Sequence, residues 1–145
     1  MDKVQIRKLV KEDAHEISRI YAAITRKEVD SDFKRVVEEH ALRDDQACFV
    51  AEHEDKVVGF MISYILTAGF GITKSAWIAT LGVEPNFMGM GIGASLAEEI
   101  FKYYNAQGIE NVYTSVRWDS SDLLSFFKTL GFDRSNFINL RKIIE

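Results

Sequence analysis

One stretch of the chain leaves its neighbours little choice of structure: Val83-Glu84-Pro85-Asn86-Phe87-Met88-Gly89-Met90-Gly91-Ile92-Gly93-Ala94. An apolar run, Ala76 to Val83, leads into it. Leu96, Ala97, Ile100, Phe101 and Tyr104 follow it at the spacing of one helical face. A strand that enters a glycine-rich turn and leaves as a helix has a direct chemical use. The first N–H groups of a helix have no intrahelical partner, and the helix dipole favours negative charge there. Glycines at alternate positions let the backbone approach a phosphate and form a nest of N–H groups. Gly89, Gly91 and Gly93 are therefore candidates to hold a pyrophosphate.

The chain around this turn reads as follows. Val4 to Lys8 alternates as a short strand, and Lys11-Glu12-Asp13 leads into a helix with Ile17, Ile20, Tyr21 and Ile24 as its stripe. Asp13 with Glu16 three residues on is an acidic form of the capping box. Thr25 to Asp32 is a polar loop, after which Ser31 or Asp32 can cap a second helix carrying Phe33, Val36, Val37, His40 and Ala41. Ala47 to Glu52, a turn at His53-Glu54-Asp55-Lys56, and Val57 to Leu66 form a hairpin. Ala68-Gly69-Phe70-Gly71 breaks the second strand, and Ser75 to Val83 completes a meander. The helix after the glycine turn ends near Gln107-Gly108, and Asn111 to Val116 is a strand. Asp119-Ser120-Ser121-Asp122 starts a helix with Leu123, Phe126, Phe127 and Leu130 inward, ended by Gly131. Phe132 to Ile143 reads as a final strand or strand pair. The class is α/β, with an antiparallel front half and one strand–helix–strand crossover.

Length and composition narrow the function. The 145 residues suit a single domain over 1–145, able to bury roughly 70% of its unfolded surface. An apolar fraction of 47% beside 28% charged residues excludes disordered and fibrous classes. A net charge of −4 argues against nucleic-acid binding by broad phosphate neutralisation, yet leaves room for one small anion site built from main chain. Cys48 is the only cysteine, which excludes an intramolecular disulfide. The start, Met1 to Lys8, lacks a signal-peptide pattern, and no apolar run reaches the roughly 18 residues of a membrane span. The expected location is cytoplasmic. His15, His40 and His53 have no metal-ligand spacing, so no metal site is expected.

Order and motifs together resemble the GNAT superfamily of acyl-CoA-dependent N-acyltransferases, over nearly the whole chain. The family's phosphate motif, Q/R-x-x-G-x-G/A, appears as Met88-Gly89-Met90-Gly91-Ile92-Gly93, with Met88 in place of the usual Gln or Arg. The lead-in is Val83-Glu84-Pro85. A second signature, F-Y-x-x-x-G-F, appears as Phe126-Phe127-Lys128-Thr129-Leu130-Gly131-Phe132, with Phe127 replacing the tyrosine. A dinucleotide fold is the rival, since Gly89-x-Gly91-x-x-Ala94 fits its fingerprint and Asp119 could serve as its ribose acid. Glu84 to Met88 separate strand from glycine, however, and too little chain follows for a doubly wound sheet.

The resemblance implies a mixed, mostly antiparallel sheet with a splayed strand pair and four helices. It implies acetyl-CoA as acyl donor, its pyrophosphate on the N–H groups of residues 88 to 94 and its pantetheine arm along Thr80 to Val83, as an added strand would lie. The cofactor contacts are thus Leu81, Gly82, Val83, Met88, Gly89, Met90, Gly91, Ile92, Gly93, Ala94 and Phe127. The reaction implied is direct attack of a primary amine on the thioester in a ternary complex. The acceptor is a small molecule, a peptide N-terminus or a lysine. The N–H of Leu81 or Val83 would polarise the carbonyl, and Glu84 is the leading candidate for general base. Glu28 and Asp30 lie in the loop that lines the acceptor site in this family. Arg117, Lys128 or Arg134 could reach the adenosine phosphate, and Ser120, Ser121 or Tyr104 could replace the missing tyrosine. Met88 and Phe127 also fit an alternative, a catalytically weak CoA-binding or regulatory module. An apolar terminal strand, Phe137 to Ile144, invites edge pairing, and a homodimer formed through it is one arrangement open to the chain.

Overall fold

The computed structural model describes residues 3–43, 46–67 and 74–145. The break expected at Ala68-Gly69-Phe70-Gly71 lies outside the described residues. Among the described residues, five strands and four α-helices follow one another as β1 (Gln5–Lys8), α1 (Ala14–Thr25), α2 (Ser31–Ala41), β2 (Cys48–His53), β3 (Lys56–Leu66), β4 (Ser75–Val83), α3 (Ile92–Ala106), β5 (Val112–Thr114) and α4 (Ser121–Thr129). Short 3-10 turns at Lys11–Asp13 and Pro85–Phe87 introduce α1 and the glycine loop. The chain divides into two compact units, Met1–Tyr113 and Thr114–Glu145.

In the sheet the strands lie in chain order, β1 to β5. The first three neighbouring pairs are antiparallel, and β4 with β5 is the one parallel pair, joined by the α3 crossover. Both faces of the sheet are covered. Ile17, Ile20 and Val37 from α1 and α2 join Val50, Phe60 and Ile62 in one core cluster. On the other face Leu96, Ala97, Ile100 and Tyr104 of α3 are fully buried, and a Cβ built on Gly59 of β3 would lie 3.1 Å from Ile92. Burial on both sides is why β3 reads as an apolar run, interrupted at Ser63, instead of alternating. The β2–β3 turn puts Glu54 at φ 49° and Asp55 at φ 63°. Two left-handed residues give the turn the twist of a tight hairpin.

Local chemistry departs from the sequence reading in several places. Asp13 does not cap α1. It sits in the helical region and turns its carboxylate back to accept from Val10 N–H at 2.9 Å and from both Nη atoms of Arg7 at 2.8 Å. Arg7 Nε reaches Glu52 at 2.8 Å, so one guanidinium ties β1, the first 3-10 turn and β2. Glu16 pairs with Arg19 instead of completing a box. The cap of α2 is Asp30, whose Oδ1 accepts from Asp32 N at 2.8 Å and Phe33 N at 3.4 Å; Ser31 and Asp32 are already helical. Val36 is 44% exposed and lies off the buried stripe. β5 is three residues long, shorter than the expected Asn111 to Val116.

Within the second unit, Phe127 of α4 packs edge-on against Phe126 at 5.2 Å and Phe132 at 5.1 Å. Gly131 takes φ 92° at the turn after the helix, and Phe132 N–H returns to Phe127 O. Leu123, expected inward, is 39% exposed. The strand or strand pair expected over Phe132 to Ile143 does not form, nor does the terminal edge strand expected over Phe137 to Ile144. Apolar side chains alone do not make a strand, because a strand exists only where a neighbouring backbone completes its hydrogen bonds. Ile138, Leu140, Ile143 and Ile144 are between 68% and 89% exposed.

Candidate functional site: the mouth of α3 and the end of β4

The glycine loop is built by β4 running out of partners. Glu84 N–H makes a last bond to Val58 O at 2.8 Å. Pro85 then supplies a fixed φ and no donor, which suits the first position of the 3-10 turn Pro85–Phe87. Met88 N–H closes that turn on Pro85 O at 3.3 Å. Gly89 at φ 81° and Gly91 at φ 79° then turn left-handed, and Gly91 serves as the N-cap of α3. Among the described residues, no side chain caps this helix. Its first backbone bond is Ser95 N–H to Gly91 O at 3.0 Å. Among the described residues, the N–H groups of Ile92, Gly93 and Ala94 have no acceptor. Three unbonded donors and the positive end of a fifteen-residue helix make an anion cradle. The open space around Gly89 and Gly91, with nothing within 4 Å of a built Cβ, leaves the approach clear.

Side chains contribute little to that cradle. Met88 and Met90 are 55% and 58% exposed and bring no charge. Ile92 is buried, so only its N–H can serve.

β5 is the hydrogen-bonded neighbour of β4 in the sheet. Ala76 N–H donates to Asn111 O at 3.2 Å, and Trp77 stacks on Tyr113 at 4.9 Å. β5 ends at Thr114, so Thr80 to Val83 run on past its end. The register between β3 and β4 also shifts there: Ile62 faces Thr80 but Ser63 faces Ile78, leaving Ala79 as an extra residue on β4. Such a bulge bends a strand and increases its twist. Leu81, Gly82 and Val83 stay paired to Met61, Phe60 and Gly59 on the other side. The mixed, mostly antiparallel sheet is the one the sequence predicts.

Glu84 stands at the exit of β4. Its Oε2 is buried without a hydrogen-bond partner, 3.7 Å from Arg19 Nη2. Arg19 is held more closely by Glu16, at 2.9 Å. The hydrogen bond to Glu16, ahead of the attraction of Glu84, raises the affinity of that guanidinium for its proton. Glu28 and Asp30 line a cavity of about 170 Å³ beside the C-terminal end of α1. Phe127 lies in the second unit and is 5% exposed. Arg117 there is held by Asp119 through two bonds of 3.0 Å, so Asp119 is an ion-pair partner and not a helix cap. That bond also holds the Asp119 carboxyl below its usual range.

One cluster escaped the sequence reading. Tyr104 is no candidate acid, because it is fully buried. Its hydroxyl accepts from Ala47 N–H at 3.0 Å and lies 2.7 Å from Ser63 Oγ, which in turn donates to Ala47 O. Cys48 Sγ donates to Ser63 O at 3.4 Å. This buried network ties α3 to β2 and to β3 beside the bulge. The lone serine in an otherwise apolar β3 was its only signal.

Known proteins agree with the geometry. A model of the acetyltransferase (GNAT) family matches residues 14–132. A mycothiol acetyltransferase of Amycolatopsis mediterranei is 29% identical over 103 residues, 69% of this chain and 34% of that protein. An N-alpha-acetyltransferase of Sulfurisphaera tokodaii is 31% identical over 105 residues, 65% of this chain and 60% of that protein. The chain thus spans about a third to three fifths of these curated relatives. An aminoglycoside N-acetyltransferase solved with CoA has the same fold, with a TM-score of 0.85 at 15% identity, over 99% of this chain and 96% of that one. With both signature stretches inside the matched residues, the chain belongs to the acetyltransferase (GNAT) family.

Proposed function

We propose that this protein is an acetyl-CoA-dependent N-acetyltransferase acting on a primary amine. The observation that carries the reading is the set of unbonded N–H groups at Ile92, Gly93 and Ala94, opened by left-handed Gly89 and Gly91. A pyrophosphate satisfies them. The pantetheine arm then runs along Thr80 to Val83 as an added strand. The N–H of Leu81 or Val83 polarises the thioester carbonyl. The amine attacks the carbonyl carbon, the C–S bond breaks, and CoA leaves as a thiolate that takes up a proton. Alignment of amine and thioester supplies several kcal/mol of the acceleration. Glu84, beside Arg19, is the base that removes the proton of the incoming ammonium, directly or through a water. The acceptor enters beside the loop carrying Glu28 and Asp30. The named relatives act on different acceptors, which is consistent with one donor site serving several amines.

The test pairs an acetyl-CoA thermal shift with thiol release over a panel of amines and peptides. The expected result is a shift together with release. Gly91→Asp should abolish both by putting a side chain and a negative charge at a left-handed position facing the diphosphate. Unchanged CoA affinity in that variant would remove the site. A shift without release across a wide panel would favour a CoA-binding module without turnover.

A further inference from the structure

Arg19 of α1 stands between two carboxylates at unequal distances. Its Nη2 lies 2.9 Å from Glu16 Oε2, one turn earlier on the same helix, and 3.7 Å from Glu84 Oε2 at the exit of β4. Nε adds a second, longer bond to the same Glu16 oxygen, at 3.3 Å. The Glu16 contact is a charge-assisted hydrogen bond, whereas 3.7 Å is too long for one. Glu84 Oε2 is thus left buried and without a hydrogen-bond partner, on a side chain 18% exposed. A buried carboxylate oxygen without a partner is costly. Closure of the gap by Arg19 would relieve that cost, but Glu16 holds the same nitrogen.

The surroundings supply no second counter-charge. Among the described residues, Arg19 is the one cation within ion-pair distance of Glu84. On β3, Val58 accepts from Glu84 N–H and Gly59 faces Val83. After Glu84 come Pro85, Asn86 and Phe87, and α3 opens with Ile92 to Leu96, none of them charged. A base locked in a tight ion pair has its lone pair occupied. A base with no counter-charge is a costly anion in a buried place. A guanidinium held just short of contact meets both needs.

We propose that Glu16 and Arg19 are positioning residues for Glu84: Glu16 tethers the guanidinium short of contact, so that Arg19 balances the carboxylate while Oε2 stays open to receive a proton. That the proton comes from the acceptor's ammonium rests on the acetyltransferase reading; the tether does not. When the proton passes to Oε2, the amine nitrogen keeps the electron pair that attacks the thioester carbon.

The tether is tested without turnover. The full chain is isotope-labelled at its glutamate carboxyl carbons, and the Glu84 resonance is assigned by its loss in Glu84→Gln. Its titration is followed by NMR in the wild type, Arg19→Gln, Glu16→Gln and the double variant. Both side chains are more than a third exposed, so these variants should fold. Arg19→Gln removes positive charge and should move the Glu84 midpoint up. Glu16→Gln removes negative charge and frees the guanidinium to close, and should move it down. In the Arg19→Gln background the second substitution should do little, because the group it releases is gone. Arg19→Lys should return the midpoint toward the wild type. Shifts of the same sign in the two single variants, or no shift in either, overturn the proposal.

Thiol release from acetyl-CoA, over the same panel of amines, then joins the tether to the chemistry. Glu16→Gln should slow release about threefold, the scale of a partly exposed charge pair. The acid limb of the pH profile should follow the NMR midpoints, up in Arg19→Gln and down in Glu16→Gln. Opposite midpoint shifts beside an unmoved pH profile would keep the tether and remove Glu84 as the base.

Discussion

At the scale of single residues, the glycines of this site do different jobs. Gly89 and Gly91 are needed for backbone angle, since both have positive φ and open space around them. Gly82 is needed for room. A Cβ there would lie 2.7 Å from Phe60 Cε1 and 2.8 Å from Ile24 Cδ1. Phe60 is fully buried and cannot give way, so Gly82→Ala should cost about 1–3 kcal/mol, read by denaturant unfolding. The glycine spacing was legible in the sequence because turn geometry is a local property. The need for room at Gly82 was not, because Ile24 and Phe60 reach it from other elements. Met88 stands where the phosphate motif carries Gln or Arg. It is 55% exposed at the edge of the cradle. Met88→Arg adds a charge beside the diphosphate site proposed above and should tighten CoA about fivefold in low salt, with the gain fading as salt rises.

At the scale of elements, capping and turn chemistry set where helices and strands stop. Asp30 starts α2 and the left-handed Arg26 ends α1, so the loop between the two helices is fixed at both ends. The β2–β3 hairpin is less well served. Glu54 and Asp55 both sit at positive φ, where a Cβ costs roughly 1–2 kcal/mol per residue. Asp55→Gly should therefore stabilise the fold and raise the unfolding midpoint, the gain being about 1 kcal/mol or less once the entropy of glycine is set against it. An unchanged or lowered midpoint would show that the aspartate already meets the demands of the turn. Strand and helix cores were readable from periodicity, with ends correct to within a residue or two for most elements. The cap assignments failed at Asp13 because a carboxylate beside Arg7 gains more from two bonds to a guanidinium than from one helix N–H.

At the scale of the whole molecule, stability should carry a signature of the buried network. Burial, opposed only in part by the bond to Ser63, pushes the Cys48 thiol up from 9.0 to about 11, and burial raises Tyr104 as well. A folded chain that holds a proton which the unfolded chain releases loses stability as pH rises between those two values. The stability from Cys48 is complete below pH 9 and is gone above pH 11, a loss of about 2–3 kcal/mol. Melting temperature measured from pH 8 to 11 should fall accordingly, and Cys48→Ala should flatten the slope without removing the share that belongs to Tyr104.

By itself the sequence determined what depends on near neighbours along the chain: the meander, the strand–glycine–helix passage and the family they announce. Alternation, helical spacing and glycine angles are written within a few residues of where they act. Only the tertiary structure decided the Arg7 tie to Asp13 and Glu52, the extra residue at Ala79, the Tyr104–Ser63 network and the absence of a strand after Phe132. Each of these depends on a partner distant in sequence, or on the lack of one, and a hydrogen bond forms only where folding brings its other half.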